Sequence, residues 1–248
     1  MVNSVFRAAK ILNMLSLGRN RITDICQELG LSKGTAHRLL KTLEECGFVF
    51  QDPLTHLYYL GHLTIKLSSN PDITHQNLIV CAYDELKRLR DKSEETTALF
   101  IPIGNRRICL EEIDSNQTIK LVVERGSVYP IYTGASGKVL LSQFPDDVLN
   151  HLLDNTPLVK IAKNTITDRE ALFREVKKIR EQGYAISSSE TMESAFSICV
   201  PIREYYCPVA LSVLGPQFRL ESKSKELEKA MKESARRISG KINKASSR

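Results

Sequence analysis

Ser32, Lys33, Thr35, His37, Arg38 and Lys41 lie in one short stretch that brings together cations, hydroxyls and an imidazole, with no carboxylate before Glu44. On a helix these residues form a face rich in hydrogen-bond donors. Guanidinium and ammonium groups on such a face suit phosphate oxygens and the acceptor edge of guanine, and hydroxyls suit either target. The plain alternative for Arg38 is a solvated helix arginine, and for His37 the two readings are evenly matched. A second constellation, GASGK at 134–138, resembles a phosphate-binding glycine loop but fails its test. Tyr132 stands where that loop needs its first glycine, and Val139 stands where it needs Ser or Thr to reach magnesium. Small residues opening a helix leave backbone N–H groups exposed, and such a terminus holds a carboxylate without any cationic side chain.

Catalytic and metal chemistry finds no comparable support. There is no G-x-S-x-G elbow, no H-E-x-x-H and no dinucleotide-binding glycine motif. The six cysteines include no C-x-x-C pair, and the five histidines do not fall at ligand spacing beside them, so neither metal nor cofactor is expected. The thiols read as buried and free.

The elements that must position the first constellation follow from periodicity. Val5, Ala8, Ile11, Leu12 and Leu15 recur at helical spacing over 4–15. A short helix over 24–29, with Thr23 as its cap and Gly30 as its left-handed stop, comes next. Ser32 is placed to cap a third helix reaching 45, whose apolar stripe is Ala36, Leu39, Leu40 and Leu43. Two β-rich runs, 48–50 and 57–60, flank a turn carrying Asp52-Pro53. Three helices and a hairpin make a winged helix-turn-helix, with Thr55, His56 and Tyr58 at or near the wing tip in reach of a phosphate or the minor groove. Arg21, before the second helix, reads as a phosphate clamp because that helix crosses the backbone.

A short helix over 61–70 reads as a linker, broken at 68–71. The expected layout is therefore a DNA-binding domain at 1–60, a linker helix at 61–74 and an effector-binding domain at 75–248. The last opens with a helix over 75–92, followed by strands at 96–103, 107–113 and 119–123. It continues with helices at 137–144, 146–153, 168–182 and 225–246, and strands at 184–187, 197–202 and 208–214. Strands flanked by helices imply an α+β domain on an antiparallel sheet.

With these pieces in order, the chain resembles the IclR family of bacterial transcriptional regulators over nearly its whole length. The resemblance runs through LGLSKGTAHRLLKTLEECGFV, YYLG, YTGASGKVLL, GYAISSSE and VALSVLGP. It implies a GAF-like sensor domain with a six-stranded sheet, and assembly as dimers or tetramers on double-stranded operator DNA. Pairing has a physical logic, since one reading helix covers only a few base pairs. The family's effector pocket lies between the 134–138 helix start and the central strands. Carried over by position, its residues here are Leu121, Tyr129, Ala135, Ser136, Ser187, Ala195, Ser197, Ser212 and Leu214, with Glu190, Glu193 and Tyr132 as further candidates. Ser187 replaces the aspartate of the family's glyoxylate and pyruvate sensors, Ser197 their cysteine and Leu214 their second serine. These departures imply a less charged, more apolar pocket suited to a larger, aromatic acid.

Composition agrees with this reading without selecting it. Hydrophobic residues make up 42% and charged residues 26% of the 248, as in globular domains, and the length allows two cores. A net charge of +6 and a pI near 9.0 suit a polyanionic partner. The absence of a long apolar run and of a signal-peptide core implies a cytoplasmic protein with no membrane partner. The competing class is a non-DNA dimeric small-molecule-binding or interaction module, against which the carboxylate-poor third helix argues.

Overall fold

The structure, a computed structural model, describes residues 2–69 and 71–246. Contacts divide the chain into two compact units, Met1–Thr74 and His75–Arg248. In the first, α1 (Asn3–Ser16), α2 (Ile22–Leu29) and α3 (Lys33–Glu45) precede a hairpin of β1 (Val49–Gln51) and β2 (Tyr58–Leu60), then α4 (His62–Ser68) and α5 (Pro71–Thr74). Ile11, Ile25, Ala36, Leu40 and Val49 form the center of its core. Gly30 ends α2 at φ 61°, and the Ser32 hydroxyl caps α3 by accepting from the Thr35 amide at 3.3 Å.

The start of α2 differs from expectation. Arg21 occupies its N-cap, and Thr23 lies within the helix, its hydroxyl donating to Asp24. Ile22 packs on the core, which draws the helix start toward it. Gly61 is required at the hairpin's end because a Cβ there would collide with the Gly47 carbonyl. In the linker helix, Asn70 lies outside the described residues.

The second unit begins with α6 (Gln76–Ser93), β3 (Thr96–Ile103), β4 (Arg106–Ile113) and β5 (Val128–Pro130). It continues through α7 (Gly134–Ser142), α8 (Asp146–Asp154), α9 (Arg169–Gln182), β6 (Ala185–Ser188), β7 (Ala195–Ile202), β8 (Val209–Pro216), α10 (Gln217–Leu220) and α11 (Ser224–Ser246). Among the described residues the strands form one six-stranded antiparallel sheet in the order β5-β4-β3-β8-β7-β6.

Helices cover both faces of this sheet. Every position of β8 is buried, and its residues alternate. Val209, Leu211 and Val213 face α6 and α11, while Ala210 and Leu214 join the cluster beneath α7 and α9. Strand β3 alternates in the same way, with Leu99 on the first side and Ala98 and Phe100 on the second.

The expected strand at 119–123 does not form. Its backbone is held by side chains instead: the Thr96 hydroxyl donates to the Leu121 carbonyl at 2.7 Å, the Val123 amide to Glu112, and Arg219 to the Ile119 carbonyl. Strand β5 takes the sheet edge next to β4, with Val128 opposite Ile108. Helix α7 starts at Gly134 rather than 137, and α10 had no counterpart in the sequence reading. Among the described residues no helix is long and apolar enough to cross a membrane.

Candidate functional site

Helix α3 turns its apolar stripe inward and leaves Ser32, Lys33, His37, Arg38 and Lys41 exposed, with Thr35 half-buried. The Ser32 hydroxyl, which also meets that of Thr35 at 2.9 Å, is shared between capping and any outward contact. Glu44 is drawn off the face, its carboxylate accepting from the Gln51 amide at 3.0 Å. The exposed first turns of α3 therefore carry cations without a competing acid. Arg21, also exposed, stands at the start of α2.

The wing is a built turn. Asp52 accepts from the Leu54 amide and the Thr55 hydroxyl, and these bonds hold its carboxyl below the usual range. Thr55 is thus committed to the turn, while His56, at φ 58°, is exposed. Tyr58 departs from the expectation of a wing contact. It is 4% exposed in the core, where burial raises its hydroxyl's pKa, because the strand pleat turns Tyr58 inward and its neighbour Tyr59 outward onto Phe50.

In the second unit, Leu121, Tyr129, Ser136, Ser187, Ala195, Ser197, Ser212 and Leu214 line one cavity of about 80 Å³. The strand register places them there. Ser187 lies opposite Ser197 and Ser197 opposite Leu214, so one row crosses β6, β7 and β8. Ser212 uses its hydroxyl on the Ile198 carbonyl. Those of Ser136, Ser187 and Ser197 make no hydrogen bond among the described residues. Ala135 does not line the cavity; it is fully buried in the cluster beneath α7.

Three further candidates lie elsewhere. Tyr132 is buried and exchanges hydrogen bonds with the backbone of Val159. Glu193 accepts from the Lys163 amide. Glu190 accepts from the Gly134 amide at 3.1 Å and pairs with buried Lys138 at 2.5 Å, so this carboxylate already occupies part of the α7 terminus.

Sequence reasoning missed Arg107. It is 4% exposed and lines the cavity, where its guanidinium lies 5.6 Å from the Phe100 ring centroid and 5.3 Å from that of Tyr129. Burial lowers its pKa to about 10, which leaves it charged at neutral pH. The pocket is therefore not the weakly charged one expected. The available signal was its parity with Cys109 on β4, but residues on both faces of that strand are buried, so alternation alone did not mark it.

Comparison with known proteins places this geometry. The description "IclR helix-turn-helix domain" matches residues 4–53 and "Bacterial transcriptional regulator IclR C-terminal" matches residues 72–240. The chain is 31% identical to the HTH-type transcriptional regulator XynR of Escherichia coli, over 82% of this chain and 81% of that protein. It is 30% identical to the HTH-type transcriptional regulator KdgR of the same organism, over 97% and 93%. The crystal structure of the Thermotoga maritima IclR superposes with a TM-score of 0.65 at 27% identity, covering 98% of this chain and 99% of that one. A helix-turn-helix unit whose third helix exposes cations on its first turns, followed by an antiparallel sheet with its own cavity, thus comes with matches over both parts, and the chain belongs to the IclR family of DNA-binding bacterial transcriptional regulators.

Proposed function

We propose that residues 1–60 read operator DNA, that 61–74 link, and that 75–248 sense a small organic acid whose binding changes operator affinity. The exposed face of α3, with Glu44 withdrawn to the hairpin, is the observation that carries the DNA half. Arg38 and Lys33 are the base and phosphate contacts, Lys41, His37, Ser32 and Thr35 support them, and Arg21 clamps the backbone. His56 and Thr55 bring the wing to a phosphate. Tyr58 serves packing. The protein works as a dimer or tetramer on paired half-sites, because one such helix reads too few base pairs for useful specificity.

The effector sits between the start of α7 and the row of serines, in contact with Leu121, Tyr129 and Leu214. A cavity of about 80 Å³ favours a compact acid over an aromatic one, since a benzene-sized ligand needs about 150 Å³. By linkage, the acid shifts operator binding only through its differential affinity for two arrangements of the paired subunits, which the linker transmits.

A mobility-shift assay on the promoter beside the protein's own gene, with and without small acids, tests this function. A sequence-preferring, salt-sensitive shift that an acid alters supports it. Failure to prefer any sequence at low salt would sink it and favour an interaction module.

A further inference from the structure

We propose that Arg107 is the anchor for the effector's charged group and makes the sensor selective for compact monocarboxylates. This rests on the effector reading above and names the chemistry of that same cavity.

A guanidinium has five N–H donors, and burying it without a counter-ion is unfavourable. Arg107 spends one terminal nitrogen on the Pro130 carbonyl and the Thr133 hydroxyl. Its Nε is buried and has no partner. Among the described residues it forms no ion pair. Glu190 lies close enough to bear on it, yet Lys138 and the Gly134 amide already hold that carboxylate. Phe100 and Tyr129 lie on one side of the guanidinium, with centroids 5.6 and 5.3 Å from its carbon, and the group lines the cavity beside them.

The wall opposite adds donors of matching kind. A Cβ on Gly134 would meet an Arg107 nitrogen at 3.4 Å, so the guanidinium lies against the opening turn of α7. Glu190 and Lys138 already meet the helix start as a pair, so Arg107 is the cation that faces the cavity. The unpartnered hydroxyls of Ser136, Ser187 and Ser197 face the same space. An anion bound there would pair with the guanidinium charge and draw further donors from the serines.

Shape and size then select among anions. A carboxylate presents one oxygen to the remaining terminal nitrogen of the guanidinium and its second to the serine hydroxyls. The remaining wall, Leu121, Val123 and Leu214, is apolar, which suits one charged group with a short hydrocarbon or keto tail. About two or three carbons, in molecules with no more heavy atoms than benzene, fit the 80 Å³.

The test is thermal unfolding of the full chain with acetate, propionate and pyruvate, alongside their amides and, as oversized or wrongly shaped anions, hexanoate, benzoate and inorganic phosphate. At least one acid of the series should raise the wild-type midpoint by about 5 °C at a hundredfold excess over its dissociation constant. The matching amide should not. Arg107→Met should weaken that acid about a hundredfold without lowering the ligand-free midpoint, because it removes an unpaired buried charge. Should the Met variant not fold, Arg107→Lys keeps a cation without the guanidinium, and its affinity should fall about tenfold.

The proposal falls if no acid of the series stabilises the wild type, if an amide matches its acid, if only hexanoate, phosphate or benzoate binds, or if both variants keep wild-type affinity. Operator shifts run in parallel separate the two readings. Acid binding through Arg107 with an operator indifferent to acid leaves the anchor standing and sinks the regulatory coupling. An operator response that Arg107→Met leaves intact does the reverse.

Discussion

At the scale of single residues, the exposed side chains of α3 have proposed roles that differ in kind. Arg38 offers a fork that suits a guanine edge, so Arg38→Ala should weaken operator binding by about 1–3 kcal/mol and relax preference at one base pair of each half-site. Lys41 offers a point charge for phosphate. Lys41→Ala should weaken binding evenly across sequences and reduce the salt slope by about one. Titrations of wild-type and variant operators at several salt concentrations check both, and an Arg38→Ala protein with unchanged sequence preference would remove Arg38 from base reading. Ser32 acts first on the fold. Its hydroxyl caps α3, so Ser32→Ala should destabilise the first unit by about 1 kcal/mol in urea unfolding. That cap was legible in advance because a serine before an apolar helical stripe has one strongly preferred use. Arg107 was not, because a strand buried on both faces gives an inward arginine and an outward one the same pattern.

Elements hold the cavity's shape, and here the buried Lys138–Glu190 pair matters most. Lys138 on α7 is 2% exposed; it also donates to the Ile186 carbonyl and lies 3.6 Å from Glu175 on α9. Glu190 belongs to the turn between β6 and β7, where Ser189 and Ser194 take positive φ and Thr191 lines the cavity. Removing one partner strands a buried charge, so Lys138→Met should cost about 3–5 kcal/mol, whereas Lys138→Met with Glu190→Gln should recover most of it. Urea unfolding followed by circular dichroism distinguishes these; equal losses in the single and double variants would show that packing, not charge pairing, dominates. The opening of α6 makes a second claim. His75 lies beside the adjoining rings of Tyr205 and Tyr206, 2.9 and 3.0 Å from their hydroxyls, and burial lowers its pKa. A folded pKa below the unfolded 6.5 means that the unfolded chain binds the proton more readily, so stability present above pH 6.5 is lost as pH falls through the folded value. His75→Gln should flatten that loss, and an unchanged pH profile would argue against it. The same scale shows where sequence reasoning stopped: β-prone residues at 119–123 suggested a strand, but pairing is a property of the partner edge, and β4 pairs there with β5 while Thr96, Glu112 and Arg219 hold the other segment.

Across the whole chain, two units with separate cores allow binding and reading to be measured apart and then together. Periodicity showed both units in outline, because capped helices and alternating strands are local patterns, whereas the cavity's charge arises from residues far apart in sequence. The fragment 75–248 contains the cavity lining and both faces of its sheet, so it should bind the acid with no DNA present. On the proposed function the acid and the operator meet different units, and any influence between them is a coupling free energy. Such coupling is reciprocal: the factor by which the acid changes operator affinity must equal the factor by which the operator changes acid affinity. Regulators typically show factors of about 5–150. Calorimetric titration of the acid into the protein, alone and saturated with operator DNA, gives one factor, and operator titrations with and without saturating acid give the other. Equal factors above unity would establish that the cavity and α3 belong to one switch. If the acid binds equally well with and without operator, the cavity does not control DNA reading, and the sensor's output must lie on another surface.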